Sequence, residues 1–508
     1  MRGAKLTAVV AVALLALYIL QTFLARGVYN DDDLGHYLLA RDAWTKPELF
    51  LNVWGRPLFT LVYAVPARLG FQAVQLTTAI VTALTAVITG AGAARLGAPA
   101  PLGAALYGTM PFVLLLAYSS LTEPICALVL AGALWAWLAG RRGIGLALAA
   151  LVPLGRLELL PLVVLWGVLH AGLRPRRWLL GLVPAAGVLA WGIIAAAVSG
   201  DPLWIVHQIF TGQDRFYAPA GLWHYPRGLI YVVGPVVFLF ALTDGVERAA
   251  RRRFDLVSWG QLAVVALYAV FSWKLAVGQA AGFLRHLVAV APLFALSASR
   301  GIATAFGGDR AAWRRAAGTL VAGSVIVGVF LSRALVMHHR AVGPFEPVRL
   351  VAAAAILALL LWLRPDRQRA GRAVAAGLTL LCMIALVYAV TAEPPLPASA
   401  EQAAVQALWK WFEESEWAAA PLVVTHPWFL IELDAAGRRP PGGLPQVQRP
   451  QVEQAPPGTV IIWDSHYSIW PPEGMQLRDF KFDPRFTMLR ESISADRQFA
   501  AYALLKTK

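Results

Sequence analysis

Residues 6–24 hold 19 positions without a charge, and comparable apolar runs recur as far as residue 391. A helix of that length crosses ~30 Å of hydrocarbon. Basic clusters part the runs: "RPRR" at 174–177, "ERAARRRFD" at 247–255, "DRAAWRR" at 309–315 and "RPDRQRAGR" at 364–372. Basic loops mark the cytoplasmic side. With them inside, thirteen spans are expected, at about 6–24, 71–94, 98–117 and 122–140, then two short arms meeting at "GRLELL" (155–160). The rest fall at 178–199, 228–243, 256–273, 284–299, 316–337, 348–363 and 372–391. The N-terminus is then cytoplasmic and the C-terminus outside. Arg2 and Lys5 before the first run also suit a signal peptide. That run exceeds the usual ~7–15-residue apolar core and lacks a small-x-small ending, so an uncleaved helix is expected. Residues 26–70 form a long external segment whose "WGRPLFTLVYAVPARLG" predicts one or two helices along the interface.

The pattern changes at the Pro-rich linker "EPPLPASAE" (393–401). A helix is expected at 401–417, then strands at "PLVVTH", "GTVIIWD", "FTMLRES" and "FAAYALLK". The fold class is therefore mainly α. A polytopic membrane domain (1–391) precedes a small extracytoplasmic α+β domain (392–508). Composition agrees, with 58% hydrophobic and 14% charged residues against ~25% charged in soluble proteins. Residues 1–391 carry 33 Lys+Arg against 15 Asp+Glu, and residues 392–508 carry 11 against 14. The basic excess thus belongs to the membrane part and follows from topology, with no basic stripe interleaved with aromatics to suit a nucleic-acid partner. The two cysteines, Cys126 and Cys382, both lie in apolar runs, leaving the tail without a disulfide framework or cysteine metal site.

Ionisable groups in membrane segments are costly and usually functional. Four polar groups fall on the predicted external face. They are Asp31–Asp32–Asp33 with His36 and Tyr37; Ser119, Ser120, Thr122 and Glu123; Arg156 with Glu158; and "SWKLAVGQAAGFLRHLVAVAP", which holds Lys274, Arg285 and His286. Carboxylates suit proton abstraction from a hydroxyl, and cations suit a departing phosphate. Each group has a plainer reading. The three acids also read as a solvated cap, with Asp31 capping a helix from near Leu34. Arg156 and Glu158 read as a structural ion pair, and Arg285 as a snorkelling side chain. Glu123 reads as a favourable charge at a helix N-terminus. Residues 200–227 carry aromatics with His207, Asp214, Arg215 and His224, which suit an acceptor sugar or an interfacial aromatic belt.

In order, these pieces resemble the GT-C superfamily of membrane glycosyltransferases, especially the branch of lipid-linked-oligosaccharide and GPI-anchor mannosyltransferases. "DDLGHY" at 32–37 is similar to that branch's Asp-Glu-x-x-Gln-Tyr, and "SLTEP" at 120–124 to its Thr/Ser-x-x-Glu turn. "GRLELL" resembles its Arg-x-Glu element, and "FLRHLVAVAP" at 283–292 its Arg-Tyr-Leu-x-x-x-x-Pro segment. Asp33 stands where the pattern has Glu, and His36 and His286 where it has Gln and Tyr. The likeness covers about residues 1–300, and the chain also resembles bacterial lipid-linked sugar transferases in having a C-terminal external domain.

The resemblance implies inverting transfer of a sugar, mannose or another hexose or pentose, from a polyprenyl-phosphate carrier. The acceptor is a hydroxyl on a glycan, lipid or protein at the outer face of a bacterial or archaeal plasma membrane. It implies Asp32 as general base, Asp33 second and Asp31 in support. Arg285, His286, Lys274 and Arg156 would hold the carrier phosphate, and Glu158, Glu123, His36, Tyr37 and His224 the sugars. No cofactor is required on this reading, though three carboxylates can also hold Mg²⁺ or Mn²⁺. The alternatives are a transporter or flippase for lipid-linked sugars and a transferase of whole glycans. Transporters commonly show repeated halves, and none is visible here.

Overall fold

The computed structural model describes residues 2–172, 174, 177–210, 221–273, 283–307, 309–331, 335–337, 340–342, 370–440, 443–470 and 473–508. They form two compact units. The first takes Met1–Leu20, Leu51–Phe59 and Leu76–Pro394; the second takes Gln21–Phe50, Thr60–Gln75 and Pro395–Lys508.

The first unit is helical. Among the described residues, five helices are long and apolar enough to cross a membrane: Gly3–Leu24, Phe71–Arg95, Trp178–Ser199, Leu256–Trp273 and Leu284–Gly307. A sixth is formed if His224–Val233 and Pro235–Ala250 are taken together across a 115° bend. The regular series of spans is interrupted where proline and glycine break the apolar runs. The run at 98–117 divides into Ala100–Gly108 and Pro111–Leu116. Met110 is extended there, with ψ 135, because proline disfavours the helical conformation in the residue before it. The 115° bend falls at Gly234, whose φ of 79 only glycine adopts readily, just before Pro235. In the run at 316–337 the described helix is Arg310–Leu331, and Leu335–Met337 pairs with Arg340–Val342 as a small antiparallel ladder. The expected span at 348–363 lies outside the described residues.

Helices Pro235–Ala250 and Ala291–Gly307 form a close pair in this unit. A Cβ on Gly301 would lie 2.1 Å from the Phe240 carbonyl oxygen, so only glycine lets the backbones meet there. One turn of polar chemistry locks the pair. Arg300 donates from Nε to Asp244 Oδ1 at 2.7 Å and from Nη2 to Asp244 Oδ2 at 2.6 Å, and it also pairs with Asp255. Ser297 Oγ donates to the same Asp244 at 2.8 Å. Arg300 and Asp244 are almost fully buried.

In the second unit the tail folds much as its alternation predicts. The helix Ala400–Glu414 starts at Ser399, whose hydroxyl accepts from Gln402 N at 3.0 Å. All four strand-like runs are strands, in spatial order Leu422–Val424, Val460–Asp464, Ala500–Lys506, Phe486–Ile493. The first pair is parallel and the other two antiparallel. The parallel crossover carries helices Pro427–Ala435 and Arg449–Gln454. Alternate residues Ile461, Trp463, Tyr502 and Leu504 fill one core face with Val452, Met475 and Phe480. Ser492 Oγ donates to Ala404 O at 2.8 Å, tying the edge strand to the long helix. Within residues 26–70 the helices are Asp31–Asp42 and Pro57–Ala67, with a 3₁₀ turn at Pro47–Leu51.

Removing one partner of a buried pair strands the other charge, at a cost of about 3–5 kcal/mol. Arg300→Ala is therefore expected to lower the thermal midpoint of the detergent-purified protein markedly. An unchanged midpoint would show that the Arg300–Asp244 lock does not stabilise the helix pair.

Candidate functional site

The helical unit brings together several of the ionisable groups singled out in the sequence. Glu123 is the first residue of helix Glu123–Leu138, with Pro124 next, a position where the helix dipole favours a carboxylate. "GRLELL" supplies the cation by breaking the helix. Val152–Gly155 ends at Arg156, which is extended with φ −147 and ψ 97, before a 3₁₀ turn at Leu157–Leu159. That break places Arg156 among the acids. Its Nη1 donates to Glu123 Oε1 at 2.9 Å and to Thr122 Oγ1 at 3.3 Å, and its Nε to Glu158 Oε1 at 2.6 Å.

Two further guanidiniums join the cluster. Arg285 Nε lies 3.4 Å from Glu123 Oε1, with its Cζ 4.8 Å from the Phe283 ring centroid. It is 4% exposed, so it does not snorkel. Its 3₁₀ segment Leu284–Val290 is wholly buried. Tyr268 Oη anchors that segment by donating to His286 O at 3.2 Å. Arg56 Nη2 lies 3.7 Å from Glu158 Oε2. Arg56 was missed as a site residue in the sequence, where it lies inside a run read as an interfacial helix. It takes φ 60, a left-handed backbone that costs a non-glycine residue ~1–2 kcal/mol, in a turn where Gly55 N donates to Asn52 Oδ1 at 2.7 Å. Glu123 Oε2 is buried without a hydrogen-bond partner among the described residues. The arrangement offers fixed guanidinium donors and a carboxylate oxygen in an apolar setting, where charge-assisted contacts are strong. His224 opens helix His224–Val233, its ring 5.3 Å from that of Tyr225. Lys274, Asp214 and Arg215 lie outside the described residues.

The acidic run belongs to the second unit. The helix starts at Asp31 rather than near Leu34, with Asn30 in the N-cap position. Asp31 is therefore not the cap; all three acids form the first turn, where the dipole favours them. Their side chains take separate partners. Asp33 is buried and its Oδ2 accepts from Tyr29 N at 3.0 Å; Asp32 Oδ2 accepts from Asn30 Nδ2 at 3.2 Å. Asp31 Oδ2 lies 3.7 Å from His466 Nε2. His36 Nδ1 lies 2.6 Å from Asp32 O. Tyr37 is fully buried, and its hydroxyl donates to Asp434 Oδ2 at 2.6 Å. Burial and that acceptor both raise the Tyr37 pKa. Arg41 and Arg439 complete the tie to Asp434, and Arg439 also reaches Asp42 at 2.7 Å. Among the described residues, no group of three or more His, Cys, Asp or Glu is placed to hold a metal ion.

Sequence reading also missed Glu401, His426 and His466. Glu401 Oε1 is 2.9 Å from His426 Nε2 and 2.9 Å from His466 Nδ1. His426 Nδ1 accepts from Trp428 N at 3.2 Å, which leaves its Nε2–H to donate to Glu401. Burial would raise the Glu401 pKa, but hydrogen bonds and charge from the two imidazoles outweigh it and draw the carboxyl down to about 2. Burial would lower the His466 pKa, but Glu401, Asp31 and Asp464 hold it above its usual 6.5. Burial raises the Asp31 carboxyl against the pull of His466 and Tyr467.

No protein-family model matches this chain, and no curated protein matches it.

The Glu401–His466 pair has a defined pH window. The depressed Glu401 pKa contributes stability above 4.5 that is lost as pH falls through about 2. The raised His466 pKa contributes stability below 6.5 that is lost as pH rises through its folded value. The difference in thermal midpoint between wild type and Glu401→Gln is thus expected to be largest between pH 4.5 and 6.5. A difference that does not vary with pH would remove the pair as its source.

Proposed function

We propose that this protein is an inverting membrane glycosyltransferase that moves a sugar from a polyprenyl-phosphate carrier to an acceptor hydroxyl. The carrying observation is the convergence of Arg56, Arg156 and Arg285 on Glu123 and Glu158 inside an apolar helical unit. Guanidiniums ordered beforehand by carboxylates can receive a phosphate with little reorganisation, which is how fixed charges stabilise a leaving group. Arg285 and Arg156, with His286 and Lys274, bind the carrier phosphate. The unpartnered Glu123 oxygen accepts from a sugar hydroxyl, and Glu158 keeps Arg156 and Arg56 in place. Asp32 takes the acceptor proton, the acceptor oxygen bonds to the anomeric carbon, and the C–O bond to phosphate breaks. Its electron pair leaves with the polyprenyl phosphate. A phosphate leaves without strong acid assistance, so one carboxylate base suffices, and the proposal requires no metal.

Shorter apolar helices such as Glu123–Leu138, Arg142–Gly155 and Leu157–Ala171 complete a GT-C arrangement of thirteen spans on this reading. Broken helices of this kind are tolerated at membrane depth where they line a polar cavity. The N-terminus is cytoplasmic and the tail extracytoplasmic, in a bacterial or archaeal plasma membrane.

In proteoliposomes supplied with polyprenyl-phosphate monosaccharides, Arg285→Ala is expected to weaken carrier binding about tenfold to a hundredfold, as loss of a charged hydrogen bond does. Unchanged carrier affinity would refute the phosphate assignment. Asp32→Asn is expected to slow transfer by about 10²–10⁴ while carrier binding survives. Normal turnover in that variant would exclude Asp32 as the base.

A further inference from the structure

The second unit contains a cavity of about 490 Å³ with Glu401, Ser465, His466, Trp470, Asp496 and Gln498 in its lining. That volume is in the ~300–1,000 Å³ range of small-molecule sites. Its lining combines a flat aromatic with convergent hydrogen-bonding groups. Trp470 is 54% exposed and contributes an aromatic surface to the lining.

Local hydrogen bonds hold both loops that shape the cavity. At the end of strand Val460–Asp464, the Asp464 carboxylate accepts from His466 N at 2.9 Å, Tyr467 N at 2.5 Å and Ser468 Oγ at 2.9 Å. Met475 N donates back to Ser468 O at 2.8 Å, fixing the far end of the loop. In the opposite turn, between strands Phe486–Ile493 and Ala500–Lys506, Asp496 Oδ1 accepts from Ser494 Oγ at 2.6 Å and Gln498 N at 3.1 Å. The loops are joined, since Ser465 N donates to Ala500 O at 2.9 Å and Ala500 N to Ser465 Oγ at 3.0 Å. Glu401 is held in place by the His426 and His466 contacts. A cleft whose polar groups are already oriented loses little freedom on binding.

We infer that this cleft is a saccharide-binding site for a short neutral glycan, which stacks on Trp470 and hydrogen-bonds through its hydroxyls to Glu401, Asp496 and Gln498. An aromatic plane covers the apolar C–H face of a pyranose or furanose ring. Carboxylate and amide groups accept from the hydroxyls at its rim. The two carboxylates outnumber the one imidazole of the lining, that of His466, so the cleft disfavours acidic sugars, which sets the class as neutral. The inference rests on the glycosyltransferase reading in that the bound glycan is then the acceptor or its growing chain.

The test uses the full-length protein in lipid nanodiscs, without donor lipid, titrated calorimetrically with neutral hexose and pentose oligosaccharides and with uronic-acid oligosaccharides. Saturable binding of a neutral glycan is expected, weakened about tenfold by Trp470→Ala, the scale of one aromatic contact. Gln498→Ala should weaken it to a smaller extent, and both variants should keep the wild-type thermal midpoint and polyprenyl-phosphate affinity. No saturable binding, equal affinity in wild type and both variants, or tighter binding of the uronic-acid series would overturn the inference. Those outcomes leave carrier binding by the arginine cluster intact, so failure here is distinguishable from failure of the donor assignment.

Discussion

A guanidinium buried among apolar helices is unfavourable unless carboxylates meet it. In the helical unit, that requirement is met where Arg156 bonds both Glu123 and Glu158. Much of the local geometry follows from the same contact. The helix that would carry Arg156 is broken so that the residue can extend, and the earlier helix that begins at Glu123 directs its dipole at the carboxylate. Arg56 tolerates a left-handed backbone at the same cluster, and strain of that kind concentrates at functional sites. Replacing such a cluster with apolar side chains would often be neutral or stabilising, so the presence of five charges argues for use beyond stability. Phosphate binding is the use proposed.

The second unit solves a different problem, the placement of polar groups around an open cleft. Glu401 accepts from two imidazoles, Asp464 accepts from its own loop, and Asp496 closes the opposite turn. The Asp464 and Asp496 contacts are local in the chain, so they order the loops without a large core. The core lies on the sheet face filled by Trp463, Tyr502 and Phe480.

The tail's secondary structure was legible in the sequence because each strand shows alternation or a compact β-branched run, and a serine caps its long helix. The helical character of the first unit was equally legible, as was the isolation of Glu123, Arg156 and Arg285 in apolar surroundings. The regular series of spans was less so. Hydropathy averages over single breaks, whereas Pro111 and the Gly234–Pro235 pair redirect the chain at one residue. Arg56 escaped notice because nothing local distinguishes it from an interfacial arginine; only its approach to Glu158 does. Glu401, His426 and His466 are separated by 25 and 65 positions in the chain, and no spacing rule connects them before the sheet forms. Tyr37, read beside the acids as a substrate contact, proves fully buried on Asp434, a partner 397 positions away.

The central claim is that buried arginines receive the carrier phosphate. It is tested most directly by solid-state NMR of the arginine-¹⁵N-labelled protein reconstituted with a polyprenyl phosphate, measuring ³¹P–¹⁵N dipolar couplings. The account predicts a coupling between phosphorus and guanidinium nitrogens that weakens in Arg285→Ala and in Arg156→Lys and disappears when the two substitutions are combined. Carrier bound at saturation with no phosphorus–guanidinium coupling, or with a coupling unaltered in both variants, would contradict it.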